Sequence, residues 1–328
     1  MPKDPFGREI DYLRISVIDR CNLRCVYCMP LGNLQFMPDA HLLSAPEIER
    51  VVQAAVAVGF RRFRLTGGEP LLRADIVDLV GRITRAAGTG SVSLTTNGIL
   101  LADQLPALVA AGLQRINLHI DTLDPQRLSR IMRFATLADI QAGIAAVERA
   151  GLRPLKLNAV VTRGLNDQDV VELARLTLHK TCYVRLIELM PLGEGECSHL
   201  AQTEFVSSAE SMARISAALG TLTPVPPESP HDEARNFRLP GARGIVGFIS
   251  PVSDPYCGGC NRMRLTADGQ FHLCLLRDDR LDVRAALRAG ATQRELEALL
   301  LRAVGRKPVG HALAEGVHTH VRMHAIGG

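Results

Sequence analysis

Apolar residues recur at every second position in short runs of this chain and at every third or fourth position in the stretches between. The two-residue period predicts strands over Leu13–Ile18, Arg62–Thr66, Ser91–Thr95, Arg115–Ile120, Pro154–Val161 and Tyr183–Leu189. The helical period predicts helices over Pro46–Val58, Ala74–Ala87, Ile140–Ala150 and Val170–Leu178. Such alternation implies right-handed βαβ units around a parallel sheet. Six strands suit an open, partial (β/α)6 TIM-type barrel and are too few for a closed eight-stranded one. From about Ser198 the pattern changes. The Pro-rich run Thr223–Pro230 reads as a loop, and Gly244–Ser250 as a strand. Arg262–Thr266 and Gln270–Leu275 read as a hairpin turned at Asp268-Gly269. Helices follow near Val283–Arg288 and Gln293–Val304. The expected organisation is an α/β partial barrel over residues 1–197, with an extension over residues 198–328 that closes the barrel mouth.

Side chains alternate faces along a strand. Leu13, Ile15 and Val17 oppose Arg14 and Ser16, while Phe63 and Leu65 oppose Arg62, Arg64 and Thr66. Val92 and Leu94 oppose Ser93 and Thr95. Ile116, Leu118 and Ile120 oppose Asn117, His119 and Asp121, and Leu155 and Leu157 oppose Lys156 and Asn158. If the apolar faces meet the helices, the barrel interior is polar and largely basic. An ordinary barrel interior is packed with Val, Ile and Leu, and unpaired buried charge is too costly for a dry core. The expectation is a wet, electropositive cavity for an anionic ligand. An antiparallel sheet with one solvated face would alternate in the same way, but the helical spacers argue against it.

Composition adds limits. The 328 residues can bury a full core, and 47% apolar with 22% charged residues is ordinary for a soluble globular protein. A formal charge of +4 is too small to indicate nucleic-acid binding. Met1–Arg14 has no apolar run that would make a signal peptide, and no stretch approaches a membrane span. The expected location is the cytoplasm, where disulfides are rare and grouped cysteines suggest metal binding.

Six of the eight cysteines fall in two groups. Cys21-Asn-Leu-Arg-Cys25-Val-Tyr-Cys28 follows the first strand, at the functional end of a β/α barrel. Cys257-Gly-Gly-Cys260 precedes the hairpin, and Cys274 stands on its far arm. Each group offers three thiolates where structural zinc wants four ligands. Three protein ligands on an iron–sulfur cubane leave one iron open, which suits catalysis better than electron transfer. Zinc stays open as the alternative, since Cys-x-x-Cys pairs are common in zinc ribbons and the two groups could meet in one site. Cys182 and Cys197 read as bystanders.

The run CNLRCVYC at 21–28 has the CxxxCxxC spacing that resembles the radical S-adenosylmethionine superfamily. The segments FRLTGGEPLLR, LTTNG, LKLNAVV, RLIELMPLG, GFISPVSDPYCGGCNRMRLTADG and the terminal IGG extend the likeness over nearly the whole chain. Together they resemble the GTP 3′,8-cyclase family of molybdenum cofactor biosynthesis. CxxxCxxC points only to the superfamily, whereas CxxCNRxRLTADG with a terminal Gly-Gly is specific to the family. The resemblance implies two [4Fe–4S] clusters, on Cys21, Cys25 and Cys28 and on Cys257, Cys260 and Cys274. It implies reductive cleavage of S-adenosyl-L-methionine at the first cluster to a 5′-deoxyadenosyl radical, which takes the ribose 3′ hydrogen of GTP. The sugar then closes on guanine C8, giving 3′,8-cyclo-7,8-dihydro-GTP. It further implies cofactor contacts at Tyr27, Gly68, His119 and Met190. Substrate contacts are implied at Arg14, Arg64, Thr95, Lys156, Arg262, Met263 and Arg264, with guanine held at the second cluster. The tail residues Gly327 and Gly328 would thread into the active site. The implied partners are a reducing electron donor and, downstream, cyclic pyranopterin monophosphate synthase, with no nucleic-acid polymer and no membrane. A homodimer is one option for the assembly.

The basic residues agree with that expectation. A triphosphate carries about four negative charges, and guanidinium forks grip phosphate in pairs of hydrogen bonds. Gly67-Gly68 after a strand would let main chain approach a ligand closely. His119 departs from the family, which usually has Ser there; a hydrogen bond to Asp121 is an equal reading. Arg62 stands in place of a common Lys, and Phe271-His272-Leu273 replaces a usual Leu-Arg-Pro. Two rivals remain at this level. One is a related radical enzyme such as a peptide maturase. The other is a zinc-stabilised RNA-binding protein, which would be expected to carry more stacking aromatics than the 4% present, with no Trp.

Overall fold

The computed structural model describes residues 1–32, 34–193, 196–316, 319 and 322–327. Six strands carry the first part of the chain: β1 (Tyr12–Ser16), β2 (Arg62–Thr66), β3 (Ser91–Thr96), β4 (Arg115–His119), β5 (Leu155–Val161) and β6 (Cys182–Glu188). They lie in chain order and all pair in parallel. Helices Ala45–Val58, Ile76–Ala87, Leu101–Ala110, Leu137–Arg149 and Val170–His179 cross between them. The open (β/α)6 barrel is therefore present, and each predicted strand falls within a residue or two of its observed bounds.

The second part adds β7 (Thr223–Val225), β8 (Arg235–Arg238), β9 (Ile245–Ile249), β10 (Arg262–Leu265), β11 (Gln270–His272) and β12 (Arg280–Asp282). These strands extend the same sheet at both edges. β10 pairs parallel with β1 and leads through antiparallel β11 to β12; β9 pairs parallel with β6 and leads through antiparallel β8 to β7. The sheet order is β12-β11-β10-β1-β2-β3-β4-β5-β6-β9-β8-β7. β10 thus brings Cys260 and the basic hairpin directly alongside the strand that precedes Cys21.

Local sequence explains most boundaries. Ser44 and Glu47 form a reciprocal capping box at the start of Ala45–Val58, and Gly59 ends that helix in a left-handed conformation at φ 112°. Thr292 and Glu295 do the same for Gln293–Gly305. Thr136 caps the helix that opens at Leu137, three residues ahead of the predicted Ile140. Two expectations need correction. The run Thr223–Pro230 is not all loop, because Thr223–Val225 adds an edge strand, where Pro224 needs no ladder hydrogen bond. The hairpin's second arm stops at His272, since the chain turns there to deliver Cys274.

The apolar strand faces meet the helices as the alternation requires. Leu13, Ile15, Phe63, Leu65, Val92, Leu94 and Leu118 are buried against Ile48, Val52, Leu79, Ile83 and Leu105. Each such side chain removed from water contributes roughly 1.5–3 kcal/mol. The opposite face is polar, and it is there that the cavities lie.

Candidate active site

The polar strand face encloses a cavity of about 280 Å³ whose walls include all six grouped cysteines. Cys21, Cys25 and Cys28 follow β1 at the carboxyl end of the parallel strands. Cys257 and Cys260 flank a short turn before β10, and Cys274 follows β11. The two trios therefore face one chamber rather than separate surfaces.

Within each trio the sulfurs are electrostatic neighbours. Burial pushes the Cys25 thiol well up, and Asp121, Cys28 and Cys21 push it further. Burial likewise raises Cys21 to about 11. Burial is the first cause at Cys274 too, joined by Cys260 and Cys257. At Cys260 burial is outweighed by Lys307 and Arg262, which bring the thiol down to about 7. All six are free thiols. The two trios line the chamber from different elements, one after β1 and the other around β10 and β11. Each trio of neighbouring free thiols would suit a [4Fe–4S] cluster held by three protein thiolates.

Main chain is drawn tightly around the first trio. Gly67 lies at φ 149°, and a Cβ there would collide with the carbonyl of Ile18; one on Gly68 would collide with that of Arg20. The amides of Gly68 and Glu69 donate to Ile18 and Arg20 at 2.8 Å each. The glycine pair thus permits close approach to the segment leading into Cys21, where the sequence suggested approach to a ligand. Gly68 lines the chamber as well. Glu69 is buried and accepts from the Leu71 amide at 3.0 Å, the Thr96 hydroxyl at 2.8 Å and the Asn97 amide at 2.8 Å. Asn97 Nδ2 donates to Asn22 Oδ1 at 2.8 Å, beside Cys21 Sγ at 3.8 Å. Sequence reasoning did not single out Glu69 or Asn97.

His119, Tyr27 and Met190 also line the chamber. The Tyr27 hydroxyl donates to Asp121 Oδ2 at 2.6 Å, and His119 Nε2 lies 2.5 Å from Tyr27 Oη and 2.9 Å from Asp121 Oδ2. Burial works against protonation of His119, but Asp121 outweighs it and moves the imidazole upward. The hydrogen bond to Asp121 expected as the alternative for His119 is present.

The basic residues line the same face. Arg264, Arg14, Arg64 and Ser93 stand in register across β10, β1, β2 and β3. Arg14 and Arg64 pack on the Tyr12 ring at 5.5 and 5.3 Å, and Arg262 lies over Tyr256 at 4.9 Å. With its amide turned to satisfy both groups, Asn117 accepts from Arg64 Nη1 at 2.9 Å. Thr95, Met263 and Arg264 of the predicted substrate set line the chamber wall with Arg14, Arg64 and Arg262. Lys156 opens instead onto a second recess of about 290 Å³, shared with Arg62, Arg64, Arg115, Arg185 and Arg262. Arg185 was not singled out from sequence, although strand alternation through Tyr183, Arg185 and Ile187 could have found it. Buried polar atoms without a hydrogen-bond partner occur along both cavities: Arg14 Nε, Arg64 Nε, Thr95 Oγ1 and Asn158 Oδ1 at the chamber, and Arg185 Nε at the recess. Stranded donors and acceptors of this kind fit a polar ligand.

The C-terminal tail reaches the chamber. The Arg264 guanidinium donates to the carbonyls of Gly327 and, at 3.3 Å, Ile326. Gly327 is buried at φ 73°, and a Cβ there would strike the Thr66 side chain. Gly328 lies outside the described residues. At the second trio, Lys307 Nζ donates to the Leu273 carbonyl at 2.8 Å, and Gly310 packs on Cys257 so closely that a Cβ would lie 3.3 Å from its sulfur.

Residues 15–177 match the family model described as the radical SAM superfamily, and residues 182–313 match the one described as Molybdenum Cofactor Synthesis C. A GTP 3′,8-cyclase of Pelotomaculum thermopropionicum is 45% identical over 326 residues, covering 99% of this chain and 100% of that one. The chain belongs to the GTP 3′,8-cyclase family. The GTP 3′,8-cyclase of Moorella thermoacetica is 43% identical, again over 99% and 100% of the two chains. Among solved structures, Streptococcus suis SuiB bound to S-adenosylmethionine superposes with a TM-score of 0.63. It is 14% identical and covers 92% of this chain and 67% of SuiB, a likeness of fold alone. As a GTP 3′,8-cyclase family member the chain is a radical SAM enzyme, with S-adenosylmethionine and [4Fe–4S] clusters as cofactors. The reading as a zinc-stabilised RNA-binding protein falls with this. Among the described residues no helix is long and apolar enough to cross a membrane.

Proposed function

We propose that the chamber between the two cysteine trios is where this chain binds GTP and runs the 3′,8-cyclisation. The carrying observation is that both trios line one cavity whose wall is the basic face of the barrel. When bound, S-adenosylmethionine and a reduced cluster supply hydrogen-abstraction chemistry, which at the GTP ribose 3′ carbon leads to bonding with guanine C8 and the product 3′,8-cyclo-7,8-dihydro-GTP.

The chain's own residues hold and orient. Cys21, Cys25 and Cys28 hold the first cluster, with Tyr27, Gly68, His119 and Met190 around S-adenosylmethionine. Cys257, Cys260 and Cys274 hold the second cluster, at the guanine end of the substrate. Arg14, Arg64, Lys156 and Arg262 grip the triphosphate, and Thr95, Met263 and Arg264 shape the chamber between. Fixing both ends of the nucleotide sets its ribose against the cofactor, the positioning on which such a reaction depends. Gly327 completes the wall through Arg264, and Gly328, outside the described residues, is the other tail glycine of this reading. The barrel of residues 1–197 carries the cofactor and the extension of residues 198–328 carries the second cluster and the tail. A cytoplasmic setting, a reducing electron donor and a downstream cyclic pyranopterin monophosphate synthase belong to the same reading.

Reduced, cluster-loaded protein given S-adenosylmethionine should release 5′-deoxyadenosine in quantity only when GTP is added. An equal yield with ATP, or with no nucleotide, would sink the assignment.

A further inference from the structure

The turn between β7 and β8 carries three acids, and each is paired with a base of the barrel interior. Glu228 Oε2 lies 3.2 Å from Lys156 Nζ, and Asp232 Oδ1 lies 3.5 Å from Arg185 Nη2. Glu233 reaches four guanidiniums. It accepts from Arg14 Nη2 at 2.5 Å and from Arg262 Nη1, and stands 3.6 Å from Arg185 and 3.8 Å from Arg64. Only 11% of its side chain is exposed. Glu233 lines both the cysteine chamber and the basic recess, so it marks the partition between them.

One carboxylate among four guanidiniums leaves positive charge in excess, which favours a larger anion at the same place. The turn is held by neutral hydrogen bonds as well as by ion pairs. Its main chain bonds Asp232 to Ser229 at 3.0 Å, and Ser229 Oγ lies 3.4 Å from the Arg62 guanidinium. His231 Nδ1 lies 3.0 Å from the Gly259 carbonyl and Asn236 Nδ2 donates to Asp232 Oδ2 at 3.1 Å, so the ion pairs, which face the barrel interior, share the anchoring with these neutral contacts. Arg14 and Arg262 cannot give the same hydrogens to Glu233 and to a phosphate.

We propose that Glu233 is an internal stand-in for nucleotide phosphate, which a polyphosphate must displace to bind, so that this side chain sets the affinity for the charged end of the substrate. The proposal rests on the reading of the chamber as a GTP site. A ligand without phosphates does not meet this competition, whereas a triphosphate does.

The test uses cluster-loaded protein without oxygen, titrated calorimetrically with inorganic tripolyphosphate and with guanosine. Glu233→Gln should bind tripolyphosphate about tenfold or more tighter than the parent, the scale of a close charge pair released from competition. Guanosine binding should not change. Equal or weaker tripolyphosphate binding by the variant overturns the proposal. Because the substitution removes a buried counter-charge, the parent protein supplies a second measurement that needs no variant. Tripolyphosphate should speed amide exchange in residues 226–234, and slowed or unchanged exchange there overturns the proposal. Tighter tripolyphosphate binding with GTP-independent 5′-deoxyadenosine release would uphold the displacement and sink the cyclase reading. GTP-dependent release with unchanged tripolyphosphate binding would do the reverse.

Discussion

Arg264 directs its guanidinium onto the main chain of the C-terminal tail, holding Gly327 against Thr66. Arg264→Gln should therefore loosen the tail: amide exchange in residues 323–327 rises while iron per chain stays the same. Unchanged exchange would mean that other contacts hold the tail; lost iron would give Arg264 a part in cluster retention. Glu233 has a different signature. Burial alone would raise its carboxyl, but Arg14, Arg262, Arg64 and Arg185 outweigh that and hold it well below the usual carboxylate range. A depressed carboxyl contributes stability above its unfolded value, near 4.3, and loses it as pH falls through the folded value. Glu233→Gln should thus lower stability by about 3–5 kcal/mol at pH 7, as breaking a buried pair does. The gap from the parent should narrow below about pH 4 in denaturant titrations. A gap independent of pH would show that packing, not charge, is what the substitution disturbs. Arg14, Arg64 and Lys156 were legible from alternation because their strands have clean two-residue periods. Glu233 was not, because a loop residue has no period and its four partners come from four strands.

Among elements, the turn after β2 shows how sequence and structure can agree on a residue and differ on its reason. Gly67-Gly68 is read from sequence as room for a ligand, yet the nearest obstruction to a Cβ is the carbonyl row of residues 18–20. Gly68→Ala must push that segment, and with it Cys21, away from the strand ends. Overpacking of this kind costs about 1–3 kcal/mol. The expected result is a lower melting temperature and loss of roughly half the iron, confined to the first cluster. Full iron retention would show that the loop at Cys21 yields without harm. The helix Leu101–Ala110 escaped the sequence pattern because it has no side-chain cap at its start and carries Pro106 inside. Ser208–Leu219 was hidden by its small residues, with Ser208, Ser211 and Ile215 as its buried face.

At the scale of the whole molecule, one sheet joins the strands of the extension to the barrel. β10 pairs with β1 and β9 with β6, so the extension is built into the sheet at both edges rather than appended to one side. The open barrel was legible because local βα periods dictate it. The convergence of the cysteine trios was not, since it depends on pairing between strands far apart in sequence, and only the resemblance pointed to it. Sheet pairing of this kind makes the second trio part of the barrel's own cooperativity. Replacing Phe271, a fully buried residue of β11 paired with Leu265 of β10, by Ala should cost about 3–5 kcal/mol and weaken iron retention at Cys257, Cys260 and Cys274. Loss of iron from the first trio alone would contradict that coupling.

Iron and acid-labile sulfide per chain, measured on protein purified and reconstituted without oxygen, bear most directly on the two facing trios. About eight of each is expected, falling to about four when Cys257, Cys260 and Cys274 are all replaced by Ser. About four irons in the parent protein, or one zinc in place of a cluster, would contradict it.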